Sequence, residues 1–262
     1  MMQYHFCAQT DAGRVRQKNE DAVAFDVKTS VGVLADGMGG YNAGEVASGM
    51  ATAFIKTELT KWLSEAGALA QPAQLKRAME ICVHNTNLAI YKSAIANPPY
   101  SGMGTTLVLC VFLGERLLLG HVGDSRCYRL RDGVCERITK DHSFLQEQID
   151  AGLMTPLQAA SSPNKNLVTR ALGVEDTVLL DLAQHEVHSN DLYLLCSDGL
   201  SDMIFEEEIR EILQNEEPLE GKASSLVALA NVKGGRDNIS VLLVQVSGGS
   251  DKRGLISRLL GK

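Results

Sequence analysis

The sequence predicts an α+β chain in which antiparallel sheets are covered by helices that come in pairs. Three observations lead there. Apolar runs of strand length do not alternate one for one with helical stretches, which argues against a doubly wound parallel sheet. Successive runs are separated by short turns, as between antiparallel neighbours. Four of the helical stretches fall in two pairs, 43–63 with 72–96 and 205–213 with 222–232, which suits layers laid over sheets.

The elements follow in order. Residues 3–10 read as a strand, and 11–21 as a polar, turn-like segment holding Gly13, Arg16, Asn19, Glu20 and Asp21. Residues 22–26 and 31–35 read as strands around a turn at 28–30. In 43–63, Val46, Met50, Phe54, Leu59 and Leu63 recur at helical spacing. Pro72 suits a first helical turn, and Leu75, Met79, Val83, Thr86 and Ile90 continue one face until Asn97-Pro98-Pro99. Strands are expected at 105–113 and 116–122, with Gly114 between. The segments 127–130 and 134–138 flank Asp132-Gly133, read as a plain hairpin turn because its flanks alternate polar and apolar. Residues 141–151 read as a helix capped by Asp141 or Ser143, and 152–177 as irregular. Strands at 178–187 and 191–197 precede an acidic amphipathic helix at 205–213. A helix at 222–232 is stopped by Gly234-Gly235, and 239–246 is the last strand. The expected division is a catalytic domain over 1–247 and a flexible basic tail over 248–262, opened by Gly248-Gly249-Ser250.

The chain has 262 residues, 45% hydrophobic and 22% charged, enough for a sizeable core without staples. A net charge of −7 argues against a general nucleic-acid or anionic-membrane surface. The N-terminus shows no basic start before an apolar segment, and no apolar run approaches the roughly 20 residues of a membrane span. Six cysteines are scattered without a C-x-x-C pair, as in a reducing, cytoplasmic setting.

The chemistry begins with Leu34-Ala35-Asp36-Gly37-Met38-Gly39-Gly40, where an aspartate ends an apolar run and glycines allow close backbone approach. Asp-Gly is first of all a turn signal. Here, however, the pattern recurs: Asp198-Gly199 ends the run 192–197, Asp237 precedes 239–246, and Asp124 follows 117–122. Several aspartates at strand mouths suggest a carboxylate cluster at one end of a sheet. Two such charges about 4 Å apart repel by roughly 4 kcal/mol at an effective dielectric near 20. Either their pKa values rise or cations sit between them. Oxygen ligands favour magnesium or manganese over zinc. Two ions sharing an aspartate could orient and deprotonate a bridging water for in-line attack on phosphorus. The phosphoryl oxygens also need a cation, and Arg16 is the candidate, with an exposed loop arginine as the plain alternative.

Seven stretches, in order, carry a resemblance. They are Gly13-x-x-Arg16-x-x-Asn19-Glu20-Asp21, Ala35-Asp36-Gly37-Met38-Gly39-Gly40, Gly102-Met103-Gly104-Thr105-Thr106, Gly123-Asp124-Ser125-Arg126, Asp141-His142-Ser143, Ser197-Asp198-Gly199-Leu200 and Gly235-Arg236-Asp237-Asn238. Together they resemble the metal-dependent protein phosphatases of the protein phosphatase 2C type, in their bacterial branch. The resemblance implies a four-layer αββα sandwich, two central antiparallel sheets flanked by pairs of antiparallel helices. It implies two manganese or magnesium ions, with a third in bacterial members. Asp36 would bridge the pair, the carbonyl of Gly37 would complete the first site, and Asp198 and Asp237 would bind the second. Asp21 would act through water, Asp124 with Asp198 would form the third site, and Arg16 would grip the phosphate, with Arg14 as the competing arginine. Met38 stands where eukaryotic members carry a histidine thought to be the general acid, so the leaving-group proton has another source. His121 and His142 are read as structural, and His185 and His188 as strand-surface residues. Residues 144–172 match the bacterial flap, with a plain surface insertion as the alternative.

The implied activity is hydrolysis of phosphoserine and phosphothreonine in proteins by a cytoplasmic monomer, opposing a cognate Ser/Thr kinase, with neither nucleic acid nor membrane insertion involved. Leu255, Ile256, Leu259 and Leu260 among basic residues in the tail would make at most a marginal docking helix, and a disordered end is the alternative. Three rivals are open. An inactive binding module would have lost Asp36, Asp198, Asp237 or Arg16. A phosphatase devoted to a regulatory protein usually carries sensor or coiled-coil segments, and none is seen. A calcium-binding structural domain needs a D-x-D-x-D-G loop, which is absent.

Overall fold

Strand order is set by two antiparallel sheets that face each other. The computed structural model describes residues 2–39, 43–67, 70–160, 162 and 167–248. One sheet runs β1 (Met2–Asp11), β11 (Ile239–Gly248), β10 (Leu192–Cys196), β7 (Arg126–Arg131) and β8 (Val134–Arg137). The other runs β2 (Asp21–Asp26), β3 (Val31–Met38), β5 (Leu107–Leu113), β6 (Arg116–Val122) and β9 (Asp181–Glu186), and β4 (Gly104–Thr105) pairs with the end of β3. Helices α1 (Gly44–Ala66) and α2 (Pro72–Ala96) cover the second sheet. Helices α6 (Glu206–Gln214) and α7 (Leu219–Val232) cover the first. Short helices α3 (Phe144–Asp150), α4 (Pro156–Ala160) and α5 (Asp198–Ser201) lie between strands. The four-layer expectation matches this arrangement.

Strand alternation divides the interior into three cores. In β3, Val31, Val33 and Ala35 pack under α1 and α2, while Leu34 faces the opposing sheet. In β11, Val241 and Leu243 face α6 and α7, while Leu242 and Val244 face the gap between sheets. The gap is filled by aliphatics and by rings in contact: Phe6 stacks on Phe25 at 5.5 Å, and Phe112 meets Tyr193 edge-on at 5.3 Å.

Several boundaries differ from the sequence reading, each for a physical reason. Strand β3 does not stop at Ala35. It runs on through Asp36 to Met38 because Gly37 and Met38 pair with Thr105 and Gly104. The expected 105–113 strand is split at Thr106, whose N–H donates to the Asp36 carbonyl (2.9 Å). Ser143, not Asp141, caps α3, accepting from Gln146 N–H (3.3 Å), because Arg126 and Arg137 occupy Asp141. The segment expected to be irregular contains α4, and the strand expected from 178 begins at Asp181. Asp132-Gly133 is the hairpin turn expected: both have positive φ (49° and 81°), joining Arg131 to Val134. The tail over 249–262 lies outside the described residues, as do 161 and 163–166 of the expected flap. Among the described residues no helix is long and apolar enough to cross a membrane.

Leu34 is fully buried between the sheets, two residues from Asp36 on the same face. Leu34→Ala should lower stability by about 2–5 kcal/mol through lost burial and the cavity left behind. A change below about 1 kcal/mol in denaturant melts would contradict the two-sheet packing.

Candidate active site

The gap between the sheets is apolar along most of its length and turns polar at one end. Every residue of that end continues the parity of a gap-facing position. Asp21 follows the register of Val23 and Phe25, and Asp36 that of Leu34. Thr106 precedes Val108, Ser125 precedes Cys127, Ser197 follows Leu195, and Ser240 precedes Leu242 in the same way. One face therefore changes from oil to carboxylates and hydroxyls as the strands leave the core.

Asp21 and Asp36 are directly opposed across the β2–β3 pair, an arrangement unfavourable for two like charges. Asp21 Oδ2 accepts from Ser197 Oγ–H (2.8 Å), and Ser197 Oγ in turn accepts from Ser240 N–H (3.0 Å). Asp21 Oδ1 is buried without a hydrogen-bond partner. Asp36 N–H donates to Thr106 Oγ1 (3.0 Å), and the Asp36 carbonyl accepts from Thr105 Oγ1–H (2.8 Å). Thr106 Oγ1 lies 2.7 Å from Ser125 Oγ. The backbone at Asp36 is thus fully engaged, leaving its carboxylate to the mouth of the gap.

Asp198 opens α5 after β10, and Asp237 stands just before β11. Each of Asp36, Asp198 and Asp237 lies within electrostatic reach of the other two. Burial pushes the Asp36 carboxyl well above the ordinary carboxylate range, and the charges of Asp21, Asp198, Asp124 and Asp237 push it further. Asp198 is raised likewise, by burial and then by Asp124 and Asp237. Asp21 is pushed up to about 6, by burial first, with its hydrogen bonds from Ser240 and Ser197 opposing. Asp124, in the β6–β7 loop, is also raised to about 6, by burial and then by Asp141. The structure therefore brings together all five aspartates singled out from the sequence.

Gly37 sits where backbone crowds from two sides. Its N–H donates to the Glu20 carbonyl (3.1 Å), and a Cβ there would overlap the carbonyls of Gly44 and Glu20. Gly199, after Asp198, is pressed so closely on the carbonyl of Asn238 that no side chain could replace its hydrogen. Arg16 reaches the cluster from the 12–20 loop: its Nη2 donates to Asp237 Oδ2 at 2.8 Å. Asn238 holds that loop. Its Oδ1 accepts from Glu20 N–H (2.8 Å), and its Nδ2 donates to the carbonyls of Ala12 (3.0 Å) and Lys18 (2.8 Å).

The histidines stand apart from this chemistry, as expected. His121 Nε2 donates to the Ser125 carbonyl (2.9 Å), and burial followed by the proximity of His142 lowers its pKa to about 4. His142 Nδ1 accepts from Gly123 N–H (3.0 Å), and its Nε2 lies 2.9 Å from Asp181 Oδ2. His142 N–H and carbonyl bond Gly123 and Thr169, so it ties the Asp124 loop to the segment after α4. His185 is on β9, and His188 Nε2 is 3.7 Å from Glu186; neither joins the cluster. Sequence reasoning quoted Asn238, Ser197, Thr106 and Ser125 without giving them a role, and it missed Ser240. Their signal was parity with the gap-facing apolar positions.

The family model described as "Protein phosphatase 2C" matches residues 9–233. The serine/threonine phosphatase stp of Listeria innocua is 38% identical over 240 residues, covering 90% of this chain and 94% of that protein. The serine/threonine protein phosphatase PstP of Mycobacterium tuberculosis is 42% identical over 244 residues, covering 92% of this chain and 45% of that longer protein. A crystal structure of the catalytic domain of PstP in complex with two manganese ions superposes with a TM-score of 0.83 at 39% identity, covering 95% of this chain and all of that one.

The raised carboxyls have a consequence for the chain stripped of cations. Asp21, Asp36, Asp124 and Asp198 keep protons in the folded state that the unfolded chain, with its ordinary value of 3.8, has already released. Their contribution is therefore present at low pH and lost as pH rises through the folded values, from about 4 to 6 and beyond. His121, lowered from 6.5 to about 4, works against this below about 6.5, one group against four. In chelator, the melting temperature should fall by several degrees between about pH 4.5 and pH 6.5, where these carboxyls outnumber the opposing His121. A flat or rising profile would contradict the crowding of these carboxylates.

Proposed function

The chain belongs to the protein phosphatase 2C family, and on that premise we propose a metal-dependent protein serine/threonine phosphatase acting on phosphoserine and phosphothreonine in proteins. The observation that carries it is the meeting of Asp36, Asp198 and Asp237 beside the Arg16 guanidinium. The residues fit divalent ions. The donor set is all oxygen, the carboxylates repel one another, and Asp21 Oδ1 is buried with no hydrogen to accept. Among the described residues no three such side chains close a cage by themselves. Backbone oxygen and water would therefore complete the coordination, in keeping with the roles proposed for the Gly37 carbonyl and for Asp21.

In this reading Asp36, the Gly37 carbonyl, Asp198 and Asp237 would hold two ions, and Asp124 with Asp198 would hold a third. Manganese or magnesium would serve. When bound, such ions supply an activated water and neutralise charge on the phosphoryl group. The chain's own residues do the rest. Asp237 keeps Arg16 at the site, where its guanidinium can meet two phosphoryl oxygens at once. Asn238 fixes the loop that carries Arg16, so the phosphate is met by a preset cation. Ser197 orients the Asp21 carboxylate. Met38 has no proton to give, and His121 and His142 are bound elsewhere, so the proton of the leaving oxygen comes from none of the three. We further propose that 144–172 acts as a flap, that the enzyme is a cytoplasmic monomer in signalling, and that a Ser/Thr kinase makes its substrates.

The test is release of phosphate from a phosphothreonine peptide with manganese, with chelator, and with Asp198→Asn in manganese. Chelator should abolish turnover and the variant should keep less than about a hundredth of it, as for loss of one member of a charge-stabilising set. Equal rates in all three conditions would overturn the mechanism.

A further inference from the structure

Positive charge gathers on one lip of an acidic site in an acidic protein. The chain carries a net charge of −7, yet the 12–20 loop, which carries Arg14, Arg16 and Lys18, is bonded to the turn after α7, which carries Arg236. Arg14 N–H donates to the Gly235 carbonyl (2.7 Å), and its Cγ lies over Gly235, 2.8 Å from where a Cβ would be. Arg236 runs along Gly234 and immediately precedes Asp237. Gly13 packs so tightly on the Asp237 carbonyl that the loop cannot drift from the turn. Two of the four cations are engaged: Arg16 with Asp237 at 2.8 Å and Lys18 with Glu45 at 3.5 Å. Arg14 and Arg236 are exposed and, among the described residues, have no ion-pair partner.

Single unpaired surface arginines are ordinary. These two are held beside each other by a backbone hydrogen bond, and they flank the residue that positions the phosphate-binding guanidinium. The fold uses neither charge. A bound phosphopeptide passing over this lip advances about 3.3–3.6 Å per extended residue. Side chains one to three residues from the phosphorylated one therefore fall within reach of a long arginine. Asp237 and the rest of the cluster would repel an acidic flank, and Arg14 and Arg236 are placed to offset that repulsion.

We propose that Arg14 and Arg236 form a specificity rim. They select phosphoproteins that carry a second negative charge, an acidic or phosphorylated residue, within three residues of the phosphorylated serine or threonine. The proposal rests on the phosphatase reading and names its substrate class.

The experiment compares two phosphothreonine peptides, one flanked by glutamates and one by glutamines, with p-nitrophenyl phosphate as a third substrate, all in manganese. Exposed charge pairs are individually weak, so the glutamate peptide should be preferred by roughly five- to tenfold in kcat/KM at low salt. At about 0.5 M KCl screening should reduce that ratio below about twofold. R14Q/R236Q should reduce the ratio to near one, while R14K/R236K should keep most of it. Equal kcat/KM for the two peptides in the wild type, or a preference unchanged in R14Q/R236Q, would overturn the rim and leave the phosphatase reading standing. Loss of all turnover on all three substrates in the wild type would instead overturn the reading beneath it.

Discussion

Two carboxylates face each other across a single strand pair, and much of the molecule is arranged around that contact. Asp21 and Asp36 occupy opposed positions in β2 and β3, with Asp198 and Asp237 delivered from the other sheet. In bulk water such an arrangement would relax by moving apart. Here the backbone forbids it. The β2–β3 ladder fixes the first pair, and Thr105 and Thr106 clamp Asp36 from the side. The repulsion can then be relieved only by protons or by cations. A rigid polar end on a close-packed sandwich is thus a device for making cation binding favourable, and the stability of the layers is what makes the device stiff.

The site belongs to neither sheet alone. Asn238 sits at the start of β11 in one sheet and bonds three backbone groups of the loop leading into β2 of the other. Ser197 follows β10 and reaches Asp21 at the head of β2. These bonds cross the gap where the apolar contacts end. They hold only if the sheets pack at one spacing and one register, so the inter-sheet core and the polar end depend on each other. The glycines have a matching role. At Gly37 and Gly199 backbone from one segment occupies the place of a side chain from another, which brings the carbonyls and carboxylates closer than any larger residue would permit.

How much of this was legible beforehand depended on whether the signal was local. Long helices such as α2, with Pro72 at its start and regular apolar spacing, could be read to within a residue. So could β6, bounded by a turn and a glycine. The Asp-Gly and Arg-Asp-Asn motifs pointed to the cluster because each combines a strand end with a turn. The extension of β3 to Met38 was not legible, because it depends on pairing with residues nearly seventy positions away. The choice of Ser143 over Asp141 as a cap likewise turned on Arg126, a tertiary partner. The hydroxyls at Ser197, Ser240, Thr106 and Ser125 look like ordinary loop residues until the gap-facing register is known. Register is a property of the folded pairings, and a single sequence states it only weakly.

Charge balance also orders the events at such a site. A phosphoryl dianion approaching this cluster meets repulsion from each ionised aspartate and attraction from Arg16 alone at the centre. At a separation near 4 Å and an effective dielectric near 20, each carboxylate opposes each unit of charge by roughly 4 kcal/mol. Arg16 cannot offset that sum, the more so while it is bonded to Asp237. On the proposed reading the divalent ions therefore precede the substrate. With Asp237 among the residues that would hold a cation, the Arg16 guanidinium would be left to meet phosphoryl oxygens of similar geometry. The pair seen between Arg16 and Asp237 then stores the guanidinium in the orientation its substrate needs, and the cost of arranging it is met before the phosphoprotein arrives.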